Sequence, residues 1–376
     1  MLLKAYLRLI KIAVAAALAT PILILVCSYH LHVATGAAYE AFLAAMPRKL
    51  AVVGAMAAAL AVVYGVFLFA LRRITRWLDE VSEGQAAFLD SLRGRPLALA
   101  IVGAAAISLF LELALIRWQI SIFPVLAFYK NFVLLAAFAG LGIGYAVAGK
   151  DRIPLVLTPA LLGWLFVSQE ALRRVAGEGR LATVMASPVS EQLNMGLSNA
   201  QTPFQFGVIY FTLAMVFLSV GLVMVPVGQL CGRTMQGAGN LKAYGYNLLG
   251  SLAGVVLMMV MSYLWTSPVI WFGLVLIPLV VFFRYHTTVL VSGALMAMAA
   301  VLVLAWPGGI ETQRIYSPYQ IIERETTSDG YTNIRAAGHF YQRVHNYADW
   351  YVAASPYPDD AMRSKYYELP FRIFGA

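Results

Sequence analysis

Glu112 and Lys130 are the side chains whose type and spacing most nearly invite chemistry. Both fall in long apolar stretches, where a charge needs a partner or must lose its proton state. The turn between the two stretches centres near Ser121, with Glu112 nine residues before it and Lys130 nine after. Antiparallel helices rising ~1.5 Å per residue bring such residues to one depth. The pair is read either as a proton or cation site or as a structural ion pair or end-of-helix snorkel. Arg117 lies five residues beyond Glu112, on a different helical face and nearer the interface. Asn131 adjoins Lys130, and Asn247 is expected to hydrogen-bond a neighbouring helix.

Two glycine runs have the outline of functional loops. Gly140-Leu-Gly-Ile-Gly144, with Gly149 beyond, looks like a dinucleotide-binding turn. No strand precedes it and it sits inside an apolar helix, so the context that such a turn requires is missing. It is read as a packing surface, because small residues let membrane helices approach closely. Gly250-Ser-Leu-Ala-Gly254 is read the same way. His30 and His32 are two apart, which turns them away from each other on a helix. No metal site and no catalytic residue is assigned. Cys27 and Cys231 lie far apart in sequence and form no redox or metal motif.

The elements that must position these residues are membrane helices. The chain is 61% hydrophobic and 12% charged, with a mean hydropathy of +0.75, which excludes an ordinary soluble domain. A bilayer core takes about 20 apolar residues per helix. Nine stretches qualify: 6–28, 50–71, 97–116, 125–148, 153–169, 204–229, 243–265, 268–283 and 288–306. The fold expected is an all-α polytopic membrane protein of about nine transmembrane helices with a small C-terminal β-rich extramembrane domain. The fifth stretch is short and holds Pro154 and Pro159; it either crosses or is re-entrant. The net charge of +9 would suggest nucleic acid in a soluble protein. Here the basic residues cluster at helix ends, as in Arg72, Arg73 and Arg76 or Lys150 and Arg152, which is the pattern of cytoplasmic loops. Nucleic acid is therefore not expected as a partner, and the lipid bilayer is.

Four regions follow. Residues 1–73 form an N-terminal transmembrane hairpin. Residues 74–95 carry Ile74, Trp77, Leu78, Val81, Phe88, Leu89 and Leu92 on one stripe and read as an interfacial amphipathic helix. Residues 96–306 form a seven-helix bundle, interrupted by the polar stretch 169–201. Pro307-Gly-Gly309 ends the membrane part, and 307–376 is a small β-rich tail. Alternation in 319–323 and 331–337 predicts strands with Gly338 at a turn, and 359–369 predicts a short helix.

Several segments resemble one family in their order. Glu112 through Arg117, then Asn131–Gly144, then Ala243-Tyr-Gly-Tyr-Asn-Leu-Leu-Gly-Ser-Leu-Ala-Gly254, resemble the helices of membrane-embedded spermidine synthase-like proteins. Ile315-Tyr-Ser-Pro-Tyr-Gln-Ile-Ile, Ala336-Ala-Gly-His-Phe-Tyr-Gln and Lys365-Tyr-Tyr-Glu-Leu-Pro-Phe-Arg resemble the small N-terminal β-domain and gatekeeping segment of that family. The resemblance covers about 97–376. It implies transfer of a propylamine group from decarboxylated S-adenosylmethionine to a diamine. It also implies an amine-binding role for Tyr319, Gln320, Gln342, Tyr366, Tyr367 and Glu368. Amide and hydroxyl oxygens accept hydrogen bonds from an amine, and a tyrosine face attracts an ammonium. Tyr367 stands where the family often has a histidine. The same aromatics also suit the core of a small β-domain.

The Gly-rich turn and ribose carboxylate of a nucleotide site are not found by Ala376, about where such proteins begin their nucleotide-binding sheet. The expectation is a chain that binds no cofactor itself and is inactive alone. An S-adenosylmethionine-type cofactor enters only with a catalytic domain supplied elsewhere and docked on 307–376. The alternatives are an accessory or structural subunit of a membrane complex, or a transporter of a small amine or ion. The chain is placed in a cell membrane as a multi-pass protein, with a bacterial inner membrane expected. A basic N-terminus inside puts the tail outside after nine crossings and inside after eight.

Overall fold

A computed structural model of the chain describes residues 2–30, 37–122, 126, 130–150, 152–184, 202–306, 312–326, 332–336, 339–345, 347–354 and 359–375. It describes the backbone alone at 2, 28–30, 37–43, 122, 130, 171, 173–184, 312 and 339–340. Each expected apolar stretch is a helix: α1 (Leu2–His30), α2 (Ala37–Ser91), α3 (Gly94–Ile122), α4 (Lys130–Val147), α5 (Leu157–Val184), α6 (Pro203–Gln236), α7 (Asn240–Tyr263), α8 (Pro268–Val281) and α9 (Thr287–Ala305). Six of them, α1, α2, α3, α6, α7 and α9, are long and apolar enough to cross a bilayer. The apolar helices α4 and α8 are shorter. The chain is thus a helical multi-pass membrane protein, with six candidate crossing helices by length and composition among the described residues, where about nine were expected.

Glycines set how closely the helices approach. A Cβ at Gly140 would collide with the Gly221 carbonyl, and one at Gly144 would lie 2.6 Å from the Gln229 amide nitrogen. From the other side, a Cβ at Gly232 would lie 2.7 Å from Ala148 Cβ. These contacts climb α4 and α6 together, so the two helices run parallel and nearly backbone to backbone. Gly250 and Gly254 do the same for α7 on α3: a Cβ at Gly254 would sit 2.5 Å from the Ala106 carbonyl oxygen. Both glycine runs are therefore packing surfaces, as lipid-embedded helices require.

The lead-in to α5 is not helical. Residues 152–154 have no regular secondary structure, a turn follows, and Ile153, Leu155 and Val156 are all buried. Irregular backbone at such depth survives only where protein satisfies its polar groups. Pro154 has no N–H, and its two neighbours find glutamines. Ile153 N–H donates to Gln229 Oε1 and Leu155 N–H to Gln85 Oε1, each at 2.7 Å. Pro154, one of the two prolines that made the fifth stretch weak in sequence, thus lies in a buried, non-helical entry to α5, which begins only at Leu157.

The stretch 74–95 is not a separate element over most of its length. It continues α2 without a break to Ser91. It lies across one end of the bundle: Tyr285 Oη donates to the Val81 carbonyl at 3.0 Å, Gln85 caps the α5 entry, and Asp90 pairs with Arg233 at 2.6 Å. Its stripe is covered by protein, with Leu78, Val81, Leu89 and Leu92 buried. Arg93, Lys150, Arg152 and Arg284 are at this same end, in the joins between α2 and α3, α4 and α5, and α8 and α9, and Arg95 is in the first turn of α3.

The tail is a four-stranded antiparallel sheet in the order β1 (Thr312–Tyr316), β2 (Ile321–Thr326), β3 (Thr332–Ala336), β4 (His339–Val344). Two of these strands were legible as alternation; β1 and β4 add to them. The turn expected at Gly338 lies outside the described residues. Helices α10 (Asp349–Ala354) and α11 (Asp359–Phe374) follow, and α11 passes through Pro370 beyond its expected end.

Close approach gives a direct test. Gly140→Leu should destabilise the protein by about 3 kcal/mol or more, since even modest overpacking costs ~1–3 kcal/mol. Gly142→Leu, where a Cβ would meet nothing within 4 Å, should leave thermal unfolding in detergent nearly unchanged. Equal melting of the two variants would contradict the packing account.

Candidate functional site at the junction of bundle and sheet

Arg117 is where the sheet meets the bundle. It stands near the end of α3, and its guanidinium donates to Ser262 Oγ at the end of α7 and to the Ser317 carbonyl in the β1–β2 turn. Its flat face lies over the Trp271 ring, 4.7 Å from the centroid, a favoured arrangement for a cation. Trp271 Nε1 donates to Thr266 Oγ1 at 2.8 Å, which fixes the indole. The same indole meets Tyr316 edge-on at 6.3 Å between centroids. One cation thus joins α3, α7, α8 and the sheet.

Beside it is a cavity of about 40 Å³ lined by Trp118, Phe166, Glu170, Arg314, Tyr316 and Glu323, among others. That volume exceeds the ~10–15 Å³ needed by a single water. Arg314 and Glu323 face each other across β1 and β2 and pair at 2.8 Å. Burial works against the Arg314 charge. Glu323, Tyr316 and Glu170 more than offset it, so its pKa stands above the ordinary arginine value. The walls are aromatic, with Trp118 and Phe166 edge to face at 4.7 Å.

Below this junction the bundle buries polar groups. Glu112 is 2% exposed, and its Oε2 has no hydrogen-bond partner among the described residues. The Lys130 side chain expected beside it lies outside the described residues. Gln119 and Gln169 are fully buried, and neither carboxamide has a partner among the described residues. Gln119 follows Trp118 and Gln169 is three residues beyond Phe166, so the ring contact sets them at about one depth. Glu112 and Gln119, seven apart, share one face of α3. Sequence reasoning missed both glutamines. The signal was an uncharged amide in or beside an apolar stretch, which requires a partner just as a charge does.

The other expected site residues are spread over the tail. Tyr319 is 96% exposed. Gln320 closes the β1–β2 turn through its backbone: its carbonyl accepts from Ser317 N–H at 3.1 Å and from Ser317 Oγ at 2.7 Å. Gln342 is exposed on the edge strand β4, opposite Ile334. Two strand spacings of ~4.8 Å, together with the offset along the strands, separate it from Gln320. Tyr367 stacks on Tyr347 at 5.5 Å, and Tyr366 meets Tyr367 edge-on at 5.8 Å. Glu368 pairs with Arg372 one turn on, at 2.5 Å. The structure brings the two tyrosines together and leaves Tyr319, Gln320 and Gln342 apart from them. In the bundle, Asn131 is exposed at the start of α4, and Asn247 accepts from Tyr145 Oη on α4 at 3.4 Å, the interhelical bond expected of it. Among the described residues no cluster could hold a metal ion; His32 and the His30 side chain lie outside them.

No family model matches the chain, and neither a curated protein nor a solved structure matches it.

A buried amide without a partner costs ~1–3 kcal/mol, and leucine has nearly its volume. Gln119→Leu should therefore stabilise the protein by about that amount in thermal or denaturant unfolding. A loss of stability would mean that the amide is satisfied by a bound water or ion.

Proposed function

We propose that this chain is an accessory membrane subunit, a helical platform that presents its sheet and α11 to a second, folded protein. The observation that carries this reading is the outward stripe of α11. Met362, Tyr366, Leu369 and Ile373 recur at helical spacing and are all exposed, while Asp360 and Ser364 on the same helix are buried. Apolar anchors at such spacing are how an amphipathic helix enters a partner's groove. The Arg117 contacts hold the platform in place, which lowers the ordering cost of docking. An aminopropyltransferase- or methyltransferase-type domain, as the sequence resemblance implies, is one candidate for the partner. The scattered positions of Tyr319, Gln320 and Gln342 give less support to an amine site in the tail itself.

The reading includes an orientation. The basic joins lie at the end of the bundle away from the sheet, and loops rich in Lys and Arg stay in the cytoplasm. The platform accordingly faces the other side of the membrane, and its partner is extracytoplasmic.

One experiment tests both parts. A benzophenone at Tyr366 should cross-link in cells to a discrete protein, and Met362→Glu with Ile373→Glu should abolish the adduct without lowering the melting temperature. Loss of two hot-spot side chains, each worth ~2 kcal/mol or more, is enough for that. Adducts with lipid alone would make α11 an interfacial helix instead. In the same cells, Tyr319→Cys should react from outside with an impermeant maleimide and Asn240→Cys only after lysis. The reverse pattern would overturn the orientation and leave the docking result standing.

A further inference from the structure

An apolar groove lies at the basic end and has no part in the platform. Phe88 and Leu92 of the α2–α3 join, Leu99 and Ile107 of α3, and Pro278 and Phe282 of the α8 region line a volume of about 460 Å³. That is within the ~300–1,000 Å³ range of small-molecule sites. Along α3 the lining runs from Pro96 to Ile107, about 16 Å at ~1.5 Å per residue. This matches one leaflet of a hydrocarbon core ~30 Å thick.

The floor of the groove is open because Gly103 has no side chain. A Cβ there would meet only Phe282 Cζ, at 4.0 Å. The mouth is marked by Arg284, which is exposed and stands over the Phe88 ring at 5.6 Å from the centroid. Arg284 makes no ion pair among those found between described residues. On the end of α2 that bears Phe88, Asp90 pairs with Arg233 at 2.6 Å and Glu83 with Arg152 at 3.5 Å. A long apolar slot one leaflet deep, ending at an uncompensated guanidinium, has the chemistry of a phospholipid site.

We propose that this groove binds one acyl chain of an anionic phospholipid, with the headgroup phosphate on Arg284. Guanidinium is well suited to phosphate, which it binds through two parallel N–H donors. The site belongs to the leaflet at the basic end, where anionic lipids and basic residues attract. The proposal does not depend on the platform reading.

The test uses the full chain in nanodiscs of mixed phosphatidylglycerol and phosphatidylcholine, followed by native mass spectrometry. One phosphatidylglycerol should be retained with about fivefold preference, the size expected of one cation at a membrane surface. Arg284→Gln should remove the preference while a lipid is still retained. Gly103→Leu should fill the slot and abolish retention of either lipid, with melting temperature unchanged in lipid-free detergent. Equal retention of the two lipids by the native chain would reduce the site to ordinary annular lipid and overturn the proposal. Unchanged retention in Gly103→Leu would overturn it as well.

Discussion

A guanidinium at the end of an apolar bundle has five N–H groups to place and no apolar surface that will take them. Arg117 resolves this by drawing polar groups from three directions. A serine hydroxyl comes from α7, a backbone carbonyl from the β1–β2 turn and an indole face from α8. Hydrogen bonds to a charged group contribute ~1.5–3 kcal/mol each. The sheet is short, and among its described strand residues Ile321 is the one buried apolar side chain. A small sheet with so little core depends on what it packs against. Arg117 ties the Ser317 turn of this sheet to the ends of α3 and α7 and to the Trp271 ring.

Inside the bundle, two kinds of contact replace the hydrophobic effect, which does not distinguish helix from lipid. The glycines of α4, α6 and α7 give close van der Waals approach. The glutamines give hydrogen bonds, and they divide into two groups. Gln85 and Gln229 accept from the amides of the irregular entry to α5, so their burial is compensated. Gln119 and Gln169, near the sheet end, have no such bonds among the described residues. The basic end is therefore built for fixed structure, and the sheet end retains polar capacity.

Much of this was legible in the sequence. Hydropathy placed every helix of the membrane part, because a bilayer demands unbroken apolar runs. The glycine runs were separable from a nucleotide loop by context alone. Asn247 was read correctly as an interhelical donor or acceptor, since an amide in an apolar helix has few other outlets. What was not legible depended on tertiary contact. The stripe of 74–95 predicted an apolar surface beneath it but could not tell lipid from the protein end that it covers. The resemblance implied a ligand role for Gln320, and nothing in the sequence showed that its backbone carbonyl closes the β1–β2 turn. Arg117 was read only as lying on a different face from Glu112 and nearer the interface, because nothing in local sequence shows a carbonyl two hundred residues on.

The central claim is that Arg117 fixes the sheet to the bundle. Spin labels on Leu264→Cys, beyond the end of α7, and Gln342→Cys, on β4, report it directly, since the native Cys27 and Cys231 are buried. Electron–electron double resonance should give a single narrow distance distribution in the otherwise native chain. In Arg117→Met the distribution should become broad or split, with the helical bundle still folded by circular dichroism. A distribution equally narrow in both would show that the sheet is held without Arg117 and contradict the account.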